Sequence, residues 1–190
     1  MSVKTHPAGR RVAHVLLIAG FLLSAPSCSD NSPISQELCV DFTPAVQPVQ
    51  GRVTAQLGVD SSCQIAEIEI VVTGVDDVFA FTSTITYDID VVSYIGYSLD
   101  GSALQSDGAD VVVDIEEEEL GTLTVGATRL SQTGVDVVET TPVLKLAFSM
   151  WSLVTTSGDF TLDAQCLLGS EQPPVLKAGV ACSGGTIAVR

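Results

Sequence analysis

Residues 78–87 read Val-Phe-Ala-Phe-Thr-Ser-Thr-Ile-Thr-Tyr, and their alternation decides the fold. Phe79, Phe81, Ile85 and Tyr87 recur in one phase, opposite Thr82, Thr84 and Thr86. Side chains of an extended chain point alternately to opposite faces, so this stretch is a half-buried strand with a threonine-lined wet face. The same period spreads outward. Upstream, 65–73 (IAEIEIVVT) sets Ala66, Ile68, Ile70 and Val72 against Glu67 and Glu69, and 49–57 aligns Val53, Ala55 and Leu57. Downstream, 91–99 and 110–115 are rich in Val and Ile, and 122–129 aligns Leu123, Val125 and Ala127. In 143–151 (VLKLAFSMW), Leu144, Leu146, Phe148 and Met150 share a face, and 160–166 and 186–189 complete the set. Turn signals separate the strands at Thr73-Gly74, Asp100-Gly101, Asp107-Gly108, Gly121, Thr133-Gly134, Ser157-Gly158 and Gly184-Gly185. No stretch beyond the N-terminus sustains a helical period. About nine short strands without helices predict an all-β, antiparallel β-sandwich of jelly-roll type in a single domain. Two layers are required, because a lone sheet would leave one apolar face in water.

The N-terminus reads differently. Lys4, Arg10 and Arg11 precede 15–25 (VLLIAGFLLSA), an apolar run without charge. A bilayer span needs roughly 20 apolar residues, so this run is too short to be one. Small residues follow at Ala25, Pro26 and Ser27, then Cys28. That order predicts a removable export signal over 1–27. Residues 28–48, polar and containing Pro, read as a tether and lead-in, and 49–190 as the folded domain. Ala25-Pro26-Ser27 satisfies a small-x-small cleavage site. Residues 24–28 also resemble the lipobox of bacterial lipoproteins, in which the Cys becomes the new N-terminus and carries acyl chains. Ala25 stands where that motif usually has a branched apolar residue.

There are five cysteines, Cys28, Cys39, Cys63, Cys166 and Cys182. An odd cysteine in an exported chain needs a role, and lipidation of Cys28 supplies one. The remaining four can form two disulfides in an oxidising compartment. Of three connectivities, Cys39–Cys63 with Cys166–Cys182 is favoured, one bond near each end of the domain. Zinc is disfavoured, because no pair has the close spacing of zinc ligands.

Both histidines, His6 and His14, precede the expected cleavage point. Residues 1–27 also carry three of the eight basic residues and none of the 23 acidic ones, so the formal charge of the remainder falls from −15 to −18. Phosphate binding needs clustered Lys and Arg, which excludes nucleic acid as a partner. Anionic lipid headgroups are not attracted either, so membrane attachment rests on the lipid anchor alone. Without His the chain lacks the commonest general base and any Ser-His-Asp or Cys-His arrangement. A non-catalytic protein is therefore expected. A small carboxylate-based hydrolase is a lesser alternative, because it needs two carboxylates at a defined separation.

Calcium is a better use of the acids, since hard oxygen ligands clustered in turns can hold it. The candidates are Asp88 and Asp90, and Asp100, Asp107 and Asp110 around two Gly turns. Turn capping is the plainer role for these residues. Glu116 to Glu119 repel one another, which predicts a solvated strand end or loop, or else a patch for a basic partner. Sugar binding uses exposed aromatic rings with polar neighbours. Tyr94, Tyr97 and Trp151 are the candidate ligand-binding residues, with Tyr94 on the face opposite Ile95 and Tyr97.

The central segment resembles the cohesin domain, in the superfamily that also holds β-sandwich carbohydrate-binding modules. The resemblance is carried by Val78-Phe79-Ala80-Phe81, Thr84-Ile85-Thr86-Tyr87-Asp88 and Val91-Val92-Ser93-Tyr94. It continues through 121–129 (GTLTVGATR) and 143–149 (VLKLAFS). It spans roughly 50–190 and implies a nine-stranded jelly roll that recognises another protein or a glycan. The chain has one such domain, whereas scaffolds that bind dockerins usually string many together. The expected function is a binding or adhesion module at the bacterial envelope, on the outer membrane or cell surface, or else secreted. The alternative is a polysaccharide-binding module.

Overall fold

The structure is a computed structural model and describes residues 37–190. The export signal, Cys28 and the first part of the tether lie outside the described residues. The strands are β1 (Val40–Pro44), β2 (Arg52–Leu57), β3 (Ile65–Thr73), β4 (Val75–Val78), β5 (Ala80–Tyr87), β6 (Val92–Ser98) and β7 (Val111–Glu119). They continue as β8 (Thr122–Arg129), β9 (Val135–Val137), β10 (Thr141–Met150), β11 (Thr156–Thr161), β12 (Leu167–Leu168), β13 (Ala181–Ser183) and β14 (Gly185–Val189). A 3-10 segment, Ala103–Gly108, lies between β6 and β7.

The seven-stranded sheet runs β1-β14-β11-β5-β8-β7, with β12 also on β5, and the five-stranded sheet runs β13-β2-β3-β10-β6. A small third sheet joins β4 to β9. Pairing is antiparallel apart from β13 on β2. The expected all-β sandwich is thus observed.

Registers follow the period-two pattern. On β10 and β3, Leu144 faces Ile70, Leu146 faces Ile68 and Phe148 faces Ala66. All six are fully buried. On β5 and β8, Phe81 faces Ala127 and Ile85 faces Leu123, likewise buried. A one-residue slip would turn every one of these side chains into water, so the apolar phase fixes the pairing. Aromatic rings knit the layers together. Phe148 meets Tyr87 at 5.1 Å, Phe160 at 5.7 Å and Tyr94 at 5.8 Å, and Phe160 meets Phe42 at 5.5 Å, each edge-on. Edge-to-face contact sets the positive ring edge against the negative face of its neighbour.

Five of the fourteen strands were not expected, and each has a local reason. Residues 40–44 form β1 although they fall in the expected tether. Val40 and Phe42 are buried there, and β1 is an edge strand, where Pro44 costs no ladder bond. The stretch 78–87 is broken at Phe79, so β4 leaves to pair with β9. Strands β12 and β13 are too short to show a period. The expected strand 160–166 is displaced to 156–161, running through the Ser157-Gly158 turn signal. Gly158 is needed there for space, because a Cβ would lie 2.2 Å from Cβ of Asp88. Glu116 to Glu119 are strand, not loop.

The disulfides Cys39–Cys63 and Cys166–Cys182 are formed, as favoured. The first ties the start of β1 to the β2–β3 connection, and the second ties β13 to the segment before β12. Asp77 knits a further junction. It accepts hydrogen bonds from the N–H groups of Gly134 at 3.2 Å and Ser170 at 3.0 Å, with Lys177 at 3.6 Å. Hydrogen bonding from Ser170 outweighs burial and, helped by Lys177 and Gly134, holds its carboxyl below the usual range.

Candidate functional site

Two features stand out, an exposed polar sheet face and a cleft at one end of the sandwich. The face is the outer side of the seven-stranded sheet. Strand β5 contributes Thr82, Thr84 and Thr86, all exposed, and β8 contributes Thr124 between Gly126 and Thr122. Edge strand β7 adds exposed Val112, Asp114, Glu116 and Glu118. The alternation that buries Phe81 and Ile85 puts these residues in water. Carboxylates along the edge strand also discourage pairing with another chain.

The cleft has a volume of roughly 260 Å³ and is lined by Tyr87, Ile89, Asp90, Val92, Ser93, Glu117, Leu120 and Trp151. It forms where the β5–β6, β7–β8 and β10–β11 connections meet. Gly121 makes this junction possible. Its φ is 84°, and a Cβ there would lie 2.7 Å from the carbonyl oxygen of Tyr87. The tight approach lets Tyr87 N–H donate to the Gly121 carbonyl at 2.9 Å. The backbone of Trp151 is held by its N–H donating to Val91 O at 3.0 Å, while its side chain is 68% exposed. Leu120 is 79% exposed and Ile89 42%. Beneath them Tyr87 and Val92 are buried.

Glu117 follows the inward phase of Val111, Val113 and Ile115 and so turns towards the gap between the sheets. Its Oε1 accepts from Tyr87 Oη at 2.6 Å and from Gly121 N–H at 3.3 Å. Burial, then the hydrogen bond to Glu117, pushes the Tyr87 hydroxyl up to about 12, so it stays a neutral donor and orients Glu117. Burial, then the charges of Tyr97 and Glu117, also raises Tyr94. Asp90 N–H donates to Asp88 Oδ1 at 2.9 Å, an Asx turn that fixes the loop.

The three aromatic candidates are not brought together. Trp151 lines the cleft and Tyr94 packs inward on Phe148, while Tyr97, half exposed on edge strand β6, pairs with Leu146, so the register shift within β6 puts it on the same face as Tyr94 and not on the expected opposite one. The calcium candidates are also dispersed. Asp88 caps the Asp90 turn, and Asp107 holds Arg129 through both oxygens at 3.0 and 3.1 Å. The N–H of Asp100 donates to Ser98 Oγ at 3.0 Å, and the carbonyl of Asp110 accepts from the N–H of Leu130. Among the described residues no three acid, thiol or imidazole groups converge as a metal site.

Ile89, Leu120 and the inward Glu117 were missed as cleft residues. Leu120 beside a glutamate run, and Ile89 between two aspartates, are apolar residues with no partner in phase. That mismatch was the available signal. The cleft does bring two carboxylates, Asp90 and Glu117, to one place.

No family model matches the chain, and no curated protein matches it in sequence. Solved structures do match in fold. A cohesin of scaffoldin B from Acetivibrio cellulolyticus, solved in complex with a Cel5 dockerin mutant, is 16% identical with a TM-score of 0.51, covering 77% of this chain and 96% of that one. The second type II cohesin module of the adaptor scaffoldin ScaA from the same organism gives a TM-score of 0.53 at 10% identity in one structure, covering 78% and 88%. Another structure of that module gives 0.52 at 11% identity, covering 81% and 98%. The chain therefore has the cohesin fold. At these identities the likeness speaks for the fold alone.

Proposed function

We propose that this chain is a non-catalytic module that recognises a protein partner, displayed at the bacterial envelope. The observation that carries the reading is the broad outer face of the seven-stranded sheet, whose exposed threonines and acidic edge strand make it polar on a cohesin framework. Cohesin neighbours of this fold include one solved in complex with a dockerin. A broad open face suits a protein surface better than a small molecule, which needs concavity. The acidic edge of Asp114, Glu116 and Glu118 complements a basic partner and would speed encounter.

The purified chain, offered the secreted proteins of its own source, dockerins and a polysaccharide array, is expected to form a stoichiometric complex with a protein. Neutralising Asp114, Glu116 and Glu118 to their amides should weaken that complex, as should added salt. Retention on polysaccharide, with no protein complex, would sink this reading in favour of glycan binding.

Display at the envelope rests on residues 1–28. Lipid on Cys28 leaves residues 29–36 as a spacer before the described domain. Cys28→Ser should abolish incorporation of labelled fatty acid and release the protein from the membrane fraction. Unchanged labelling would place the anchor elsewhere.

A further inference from the structure

The end cleft has an uncompensated charge, and that identifies an occupant. Its lining includes two carboxylates, Asp90 and Glu117, and no basic side chain. Asp88 and Glu116 to Glu119 add negative charge nearby in the chain. The described residues hold five cations, Arg52, Arg129, Lys145, Lys177 and Arg190. Four are committed to carboxylates elsewhere: Arg129 to Asp107, Lys145 to Asp60, Glu67 and Glu69, Lys177 to Asp77, and Arg190 to Asp41. Among the described residues no ion pair reaches Asp90 or Glu117. Oε1 of Glu117 is oriented by Tyr87 and Gly121, which leaves Oε2 without a hydrogen-bond partner among the described residues.

The apolar walls narrow the choice further. Ile89, Leu120 and Trp151 form an exposed hydrophobic mouth over buried Tyr87 and Val92. A metal ion would leave those walls wet. A neutral sugar could stack on Trp151 but would leave the carboxylate charges uncompensated. An arginine side chain satisfies both halves of the site. Its methylene stem can cover apolar surface while its head stays polar. Its planar guanidinium can stack on an indole and fork onto a carboxylate.

We propose that this cleft is an anchor pocket for an arginine side chain of a protein partner, with Trp151 stacking on the guanidinium and Asp90 and Glu117 receiving its N–H groups. The inference rests on the reading that the partner is a protein, and it adds a specific contact to the polar sheet face.

Trp151 is the single tryptophan of the chain, so its fluorescence reports this cleft alone. The full chain is titrated with acetyl-Gly-Gly-Arg-Gly-Gly-amide, with the same peptide carrying citrulline, and with cellohexaose. The arginine peptide should shift the emission saturably with a dissociation constant on the order of 1 mM. The citrulline peptide, equal in shape but uncharged, should not. Asp90→Asn should weaken the arginine peptide about tenfold, since a charge-assisted bond is lost. Asp90 is exposed and its carboxylate makes no hydrogen bond or ion pair among the described residues, so this variant should keep the emission and circular dichroism of the parent. An equal response to citrulline, a response to cellohexaose instead, or no response to any probe would overturn the proposal. If a protein complex formed on the sheet face survives Asp90→Asn and Trp151→Ala undiminished, the anchor is wrong and the protein-recognition reading stands.

Discussion

Phe148→Ala should lower the folding stability by about 4 kcal/mol, near the upper range for a buried aromatic truncated to alanine. The side chain is fully buried. It is the one ring in contact with three others, Tyr87 and Phe160 across the layers and Tyr94 beside it on the five-stranded sheet. Removal loses the transfer energy of the ring, leaves a cavity between two sheets that cannot collapse, and deletes three edge contacts. Total stability of a domain this size is typically 5–15 kcal/mol, so the variant retains a fold with a much lower denaturation midpoint. Urea unfolding followed by circular dichroism measures it. A loss below about 1 kcal/mol would mean that the layers are not joined through this ring. Because Tyr87 lies under the cleft and packs on Phe148, the variant should also alter Trp151 emission.

Lys145→Ala should cost about 3 kcal/mol, by the opposite route. Lys145 stands on the outward phase of β10, yet its side chain is only 11% exposed. Its Nζ lies 3.2 Å from Glu67 and 3.2 Å from Glu69, with Asp60 at 3.9 Å. Gln56 Nε2 also donates to Glu69 at 3.0 Å. Removing the lysine leaves two largely buried carboxylates side by side without a cation, and that desolvated repulsion is the main cost. Replacing the whole group, Lys145→Met with Glu67→Gln and Glu69→Gln, should recover most of the loss. A triple variant as damaged as the single one would show that packing, not charge, is responsible. Burial alone would pull the Lys145 ammonium down, but the hydrogen bonds and charges of Glu67 and Glu69 prevail and raise its pKa above 10.5. A raised pKa stabilises fully below the unfolded value and fades as pH climbs through the folded one. The difference between parent and Lys145→Ala should therefore hold through neutral pH and shrink in strong alkali, as Lys145 loses its charge, and in acid, as Glu67 and Glu69 take up protons.

These two residues show how unevenly the sequence can be read. Phe148 was legible because its neighbours alternate around it, and the phase of 143–151 names its burial outright. Lys145 sits in the wet phase of the same strand, and nothing local marks it as covered. Arg129 is the converse case. It extends the inward phase of Leu123, Val125 and Ala127 and is fully buried, with Nη1 donating to Leu104 O at 3.1 Å. A charged residue in an apolar phase was a readable sign of a buried pair, but its partner Asp107 lies in a separate turn. The cleft was least legible, because Ile89, Leu120 and Trp151 come from three connections and Glu117 from the end of β7, which only the closed sandwich brings together.

By itself the sequence determined the secondary-structure class, the two-layer architecture and the side of each long strand that meets the core. Period-two burial is local, and a strand of eight residues states it without help. It also determined the strongly acidic charge balance. Only the tertiary structure decided which strands neighbour one another, which carboxylates find a cation, and where an exposed tryptophan meets unpaired acids. Those are relations between segments far apart in the chain, set by loop closure and by the packing of one layer on the other, and alternation within a strand carries no information about them.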